Sequence, residues 1–151
     1  CLSVFRDELQ QLFPGDARAE DLARRTLSLA EFLDQRGYAP RRAFGRALLQ
    51  GHCHQKALGG TGPDAKLLRA AGLEVEAPDT GCCGMAGSFG FRQETEAASR
   101  RIAELALLPK LRAAAPDTVV VADGFSCREQ IEGLGGRPAQ HLAEVLAGAL
   151  K

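Results

Sequence analysis

Thr118-Val119-Val120-Val121-Ala122 is the stretch on which the fold turns. Its residues are β-branched or small and apolar, with no polar face between them, so it reads as a strand buried on both sides. Strands inside parallel sheets have that character. Working outward, Ala47-Leu48-Leu49-Gln50 and Leu73-Glu74-Val75-Glu76 read as two further strands. Between them Pro63 to Ala71 reads as a helix, with proline in its first turn and Gly72 as its stop. A long helix is expected from Gln93 to Leu108, with Ala98, Ile102, Leu105 and Leu108 on one face. Pro109 should kink or restart it. Downstream, Ser126 to Glu132 and His141 to Leu150 read as short helices, with an edge strand near Ala139. Strands alternating with helices imply parallel pairing through right-handed crossovers. The expected fold class is therefore α/β: a short parallel sheet with flanking helices, a Rossmann-like three-layer arrangement.

A helical segment precedes that unit. Ser3 to Leu12 reads as a short helix. Asp16 to Gly37 reads as one amphipathic helix, because Leu22, Ala23, Leu27, Ala30 and Leu33 recur at helical spacing among charged residues. The texture changes near Pro40, which divides the chain into a helical segment, 1–40, and an α/β domain, 41–151. Nineteen basic and nineteen acidic residues cancel, so neither a nucleic-acid groove nor a polybasic membrane patch is expected. No apolar run approaches the roughly 20 residues of a membrane span, and no signal peptide is visible. The sequence opens on Cys1 rather than Met, so a piece of a longer chain is expected.

The cysteines carry the chemistry. There are five, at Cys1, Cys53, Cys82, Cys83 and Cys127. An odd number with two adjacent members makes a poor disulfide framework, and a chain of this length can bury a core without staples. Metal, cluster or thiol redox chemistry in a reducing compartment is the better expectation. On the strand map, Cys53 follows the first strand, Cys82 and Cys83 the second, and Cys127 the third. The carboxyl ends of parallel strands share one edge, where open α/β sheets bind their ligands, so the four should meet at one site.

The residues around them fit such a site. Gly81, Gly84 and Gly87 in the segment Gly81-Cys82-Cys83-Gly84-Met85-Ala86-Gly87-Ser88-Phe89-Gly90 allow close backbone approach and can turn N–H groups toward sulfur. Cys127, in the first turn of its helix, is expected to be favoured as a thiolate by the helix dipole. His52 and His54 flank Cys53, and His141 opens the last helix. Imidazoles beside thiolates can ligate metal, move protons or orient a partner, or simply cap helices and bond to loops. Ser88 has no G-x-S-x-G elbow around it and the glycines give no G-x-G-x-x-G fingerprint, which argues against a hydrolase or a dinucleotide site.

The segments "GHCHQKAL", "DTGCCGMAGSFGF", "VVADGFSCREQI" and "HLAEVLA" resemble the second half of a CCG cysteine-rich domain. That family includes the CCG-bearing component of heterodisulfide reductase and the iron–sulfur component of glycolate oxidase. The wording is most similar to the C-terminal part of fused FAD-linked oxidases of the D-lactate or 2-hydroxy-acid dehydrogenase type. The resemblance implies metal ligation by Cys53, Cys82, Cys83 and Cys127. Cys1, His52, His54 and His141 stand as additional ligands or supporting groups, and Cys1 as a remnant of the preceding CCG half. The family's final Cys-x-x-Cys lacks its first member, since Gly124 stands three before Cys127. With four of the usual five thiolates, a [4Fe–4S] cluster is the expectation in place of the family's non-cubane centre.

What the resemblance implies, then, is an iron–sulfur electron-transfer module of a flavin-dependent 2-hydroxy-acid dehydrogenase. It would be part of an oxidoreductase, with no catalytic residue in this segment and FAD held in another domain. Its partners would be the flavin and ferredoxin-like domains of the same chain and an electron acceptor, in the cytoplasm or at the inner face of the membrane. A structural zinc site and a metal-free thiol redox site are the alternatives.

Overall fold

The structure, a computed structural model, describes residues 2–40, 43 and 45–148. Four strands, β1 (Arg46–Leu49), β2 (Glu74–Glu76), β3 (Val119–Val121) and β4 (Ala139–Gln140), form one sheet in the order β2-β1-β3-β4. Every pairing is parallel, with Ala47 opposite Val75, Leu48 opposite Val120, and Val120 opposite Ala139. The α/β class, the central place of the Val119–Val121 strand and the edge strand at Ala139 all agree with the sequence-based expectation.

The period-2 alternation of strand side chains sorts the core into two layers. Leu48, Val120 and Ala139 face one way, onto Leu107, Leu108, Leu111 and Ile131. Ala47, Leu49 and Val121 face the other way, onto Leu67, Leu68, Leu73, Leu142 and Leu146. The first layer is built by α6 (Gln93–Leu105), α7 (Leu107–Ala113) and α8 (Phe125–Gly135), and the second by α5 (Gly62–Ala70) and α9 (Leu142–Gly148). These are the three layers expected. Among the described residues, no helix is long and apolar enough to cross a membrane.

The N-terminal region holds a π-helical turn (Val4–Glu8) running into α1 (Leu9–Leu12), then α2 (Ala17–Arg25) and α3 (Leu29–Gln35). The single helix expected from Asp16 to Gly37 is therefore two. Ser28 ends it: its side chain accepts from the Glu31 N–H while the Glu31 carboxylate accepts from the Ser28 N–H, a capping box that starts a new helix. Ala30 of α3 is buried in the second layer, and Arg6 ties the first turn to this hinge through Thr26 O (2.7 Å) and Glu31.

The helix expected from Gln93 to Leu108 also divides, at Ala106, whose backbone leaves the helical region. Leu105, expected on the buried face, is 81% exposed; Ser99 and Ala103 are buried instead. Pro109 falls in the first turn of α7, where its missing N–H loses no bond, so the break comes three residues before it. A further helix, α4 (Cys53–Leu58), follows β1 where only a loop was expected. Beyond α7 the chain turns back under the Arg137 guanidinium, which donates to the carbonyls of Leu111, Ala114, Ala115, Pro116 and Thr118.

Candidate functional site

Three strand ends deliver the cysteines. β1 runs through Gln50 and Gly51 into α4, which opens on Cys53; β2 leads to the Gly81–Gly90 loop with Cys82 and Cys83; β3 leads to α8, whose third residue is Cys127. All four are free thiols; Cys83 and Cys127 are buried, Cys53 and Cys82 half-buried. Cys53, Cys82 and Cys83 each lie near enough to Cys127 for their charge to act on its thiol. Cys1 lies outside the described residues.

The loop is held from below. Gln130 of α8, buried, donates to the Cys83 carbonyl (2.9 Å) and to Ser99 Oγ (3.0 Å) of α6. Thr80 donates to Gln50 Oε1, fastening the end of β2 to the end of β1. Gly84 is required where it stands. Its φ is +96°, which side chains rarely adopt, and a β-carbon there would land on the Ser99 carbonyl oxygen. Lys56 Nζ donates to the Gly81 carbonyl (2.9 Å), so α4 grips the loop from its other side.

Backbone N–H groups do turn toward sulfur. The Gly84 N–H donates to Cys82 Sγ at 3.3 Å, and the Met85 N–H stabilises charge on Cys83. The Cys127 thiol, acting as a proton donor to Cys83, brings the Cys83 thiol down to about 6. The same interaction, with burial, drives the Cys127 thiol far up. The Cys127 thiol is thus pushed up rather than down, against the helix-dipole expectation. The neighbouring Cys83 together with burial outweighs a dipole worth roughly 0.3–1 kcal/mol. Burial raises the Cys82 thiol. Among the described residues, no three His, Cys, Asp or Glu side chains already close on one point as ligands of a single ion would.

The histidines line a cleft of ≈ 400 Å³ beside the cysteines, together with Asp123, Gly124 and Leu58. His52 and His54 pack edge to face, 5.2 Å between centroids at 87°. His52 Nδ1 accepts the His54 N–H (3.3 Å), capping α4, and burial lowers its pKa, which favours the neutral ring. His141 Nδ1 likewise accepts the Ala143 N–H (3.0 Å), and its Nε2 stands 3.7 Å from Asp123 Oδ1. Two of the three imidazoles therefore do serve as caps.

Sequence reading missed two acids, Asp123 on the cleft wall and Asp64 buried beside it. Asp64 is 2% exposed, and its carboxyl accepts from Gln55 Nε2 (2.8 Å). Burial, with Asp123 beside it, pushes Asp64 up to about 7. Asp123 accepts the Leu142 N–H (2.9 Å) at the start of α9. The place of Asp123 two residues beyond β3 was a usable signal; Asp64, inside a helix pattern, offered none.

Fold and site together define a parallel α/β domain with a four-thiol edge, and in sequence it is similar to segments of much larger dehydrogenase proteins. It is 32% identical over 106 residues to D-2-hydroxyglutarate dehydrogenase of Pseudomonas putida, covering 69% of this chain and 10% of that protein. It is 32% identical over 147 residues to the protein of that name from Pantoea ananatis, covering 94% of this chain and 14% of the relative. One component of the anaerobic glycerol-3-phosphate dehydrogenase of Escherichia coli is 35% identical over 99 residues, covering 65% of this chain and 24% of that component. The chain thus spans about a tenth to a quarter of the length of these curated relatives. No family model matches it, and no solved structure matches it.

Proposed function

We propose that this chain is the electron-transfer part of a dehydrogenase that oxidises a 2-hydroxy acid or a similar alcohol at a flavin elsewhere in the protein. Cys53, Cys82, Cys83 and Cys127 would hold an iron–sulfur cluster of the [4Fe–4S] kind. The observation that carries the reading is that four free cysteines follow three neighbouring parallel strands, three of them near enough to act on Cys127, with backbone N–H groups turned toward two of them. The relatives' names, dehydrogenases of 2-hydroxyglutarate and glycerol 3-phosphate, support the reaction class.

The donor set fits such a cluster. Neighbouring thiolates oppose one another's ionisation, and a bound cluster's positive iron would relieve that repulsion by taking the place of the protons. A bound cluster would accept and release one electron at a time at a potential set by its ligands and surroundings. The chain's own part is to fix those surroundings. The Gly84 N–H donates to the Cys82 sulfur, the Met85 N–H favours negative charge on Cys83, and Gln130 holds the loop rigid against α8. Burial of Cys83 and Cys127 excludes water from one side.

One observation favours a second reading: Cys83, at about 6 and in proton contact with Cys127, also has the chemistry of a redox-active thiol. Iron and acid-labile sulfide analysis of the whole protein, prepared without oxygen, decides between them. Near-stoichiometric iron and sulfide are expected. Zinc in their place, or reversible thiol oxidation with no metal, would overturn the cluster.

A further inference from the structure

We propose that the hairpin of α1 and α2 is a docking surface for another part of the same polypeptide, and that the docked element is an amphipathic helix presenting leucine or aromatic side chains. This surface is independent of what the cysteines hold. Helices of four and nine residues cannot stand alone, since isolated helices under about 12–15 residues are marginal in water. They persist by burying an apolar face. Here that face is bare. Among the described residues, none is buried from Val4 to Leu12, and α2 buries only Ala19. Leu12 is 72% exposed, Phe13 53% and Leu22 43%. Phe13 and Leu22 open onto one groove of ≈ 210 Å³, with Leu9 and Ala19 in its lining and Asp16 and Arg18 at its polar rim.

The groove is held in place from several sides. Asp16 caps α2 by accepting the Arg18 N–H at 2.8 Å, and Arg6 ties the first turn to Thr26 O. Ala30 seats α3 in the second core layer, and Lys66 of α5 holds Asp34 at 2.6 Å. A fixed apolar groove receives a helix by taking up a few of its large side chains. Length and charge decide where that helix comes from. The match to the Pantoea ananatis relative covers 94% of this chain, leaving too few residues outside it to omit α2, yet only 14% of that protein. A partner tethered in the same polypeptide acts at an effective concentration of roughly millimolar, which a separate second copy does not reach. Arg18, Arg24 and Arg25 of α2 are paired with Asp16 and Asp21, so the hairpin offers no basic excess to an anionic membrane.

The test places the photo-cross-linking residue p-benzoylphenylalanine at Phe13 in the whole protein and maps the product by mass spectrometry. The expected product is a cross-link within one chain, joining Phe13 to a helical peptide outside these 151 residues. A product of doubled mass would make the occupant a second copy, and a lipid adduct would make it a membrane; either overturns the proposal. So does the absence of any cross-link, which would leave the groove open to water. Leu22→Glu, combined with the probe, should cut the cross-link yield about tenfold and speed amide hydrogen exchange in α2 to a similar degree, because a carboxylate cannot enter an apolar contact. Leu22→Met, which keeps an apolar side chain of similar volume, should leave both as in the parent. Parent-like yield and exchange in Leu22→Glu would overturn the proposal. Should the glutamate variant fail to fold, the cross-link from Phe13 with Leu22 intact still decides the matter.

Discussion

Replacing Gly84 by alanine should damage the cysteine loop more than any other single methyl added there. Two effects combine. At φ +96° an L-residue is strained by roughly 1–2 kcal/mol, and the new methyl meets the Ser99 carbonyl, a backbone atom that cannot swing aside. Overpacking of that kind adds about 1–3 kcal/mol, for a total of about 2–5 kcal/mol. Gly87→Ala is the matched control: φ is +64°, yet nothing lies within 4 Å of the added carbon. It should cost about 1 kcal/mol from backbone strain alone. In urea, with a slope near 2 kcal/mol per molar, Gly84→Ala should lower the unfolding midpoint by about 1–2.5 M and Gly87→Ala by about 0.5 M. Thiol accessibility to a chromogenic disulfide reagent, measured before unfolding, should rise for Cys83 only in Gly84→Ala. Equal midpoints for the two variants would refute the claim that Ser99 of α6 seats the loop.

Asp64 should make stability fall as pH rises. Its carboxyl titrates at about 7 when folded against an ordinary 3.8, so the stabilisation is complete below 3.8 and is lost as pH climbs through about 7. The swing is about 4 kcal/mol at most. Asp64→Asn should flatten that slope between pH 4 and 8 in urea titrations, and an unchanged slope would assign it elsewhere. In the whole protein, Cys82→Ser or Cys83→Ser should cut electron delivery to the terminal acceptor while substrate still reduces the flavin in rapid mixing. Equal loss of both, with flavin bound and the fold intact, would remove the relay role. Arg137→Lys should destabilise by about 1.5–3 kcal/mol, the range for bonds to a charged donor, because an ammonium cannot serve five carbonyls at once. A lysine variant as stable as the parent on thermal melting would show that those bonds are replaceable.

The parts of the fold that local pattern encodes were legible. Val119–Val121 could only be a buried strand, and once it was placed, the positions of Cys53, Cys82, Cys83 and Cys127 after strands followed from topology. Local signals were also overlooked: the Ser28–Glu31 capping box is plain in the sequence, but the regular recurrence of Leu22, Ala23, Leu27, Ala30 and Leu33 masked it. Helix α4 escaped because six residues are too few to show a period. Leu105 misled because its spacing fits the apolar face of α6, whereas the chain leaves the helix at Ala106 and turns that leucine outward. The roles of Asp64 and Gln130 were beyond any local pattern. Each depends on a partner brought by a distant element: Asp123 for Asp64, and Ser99 and Cys83 for Gln130.

Cys83, Met85 and Cys127 belong to the same apolar layer as Leu107, Leu111 and Ile131. The two buried cysteines are thus packed into one face of the sheet and not the other. Oxidising Cys127 to a sulfinate would place a charge where 1% of the residue is exposed, a burial that proteins do not tolerate without a partner. Damage should therefore spread through α6, α7 and α8 while α5 and α9 keep their grip on Val121. A molecule oxidised at Cys127 should open on that side of the sheet first and expose Leu107, Leu108 and Leu111. Disposal of the damaged chain would then need no dedicated sensor, since a half-open apolar face is what chaperones and proteases already read.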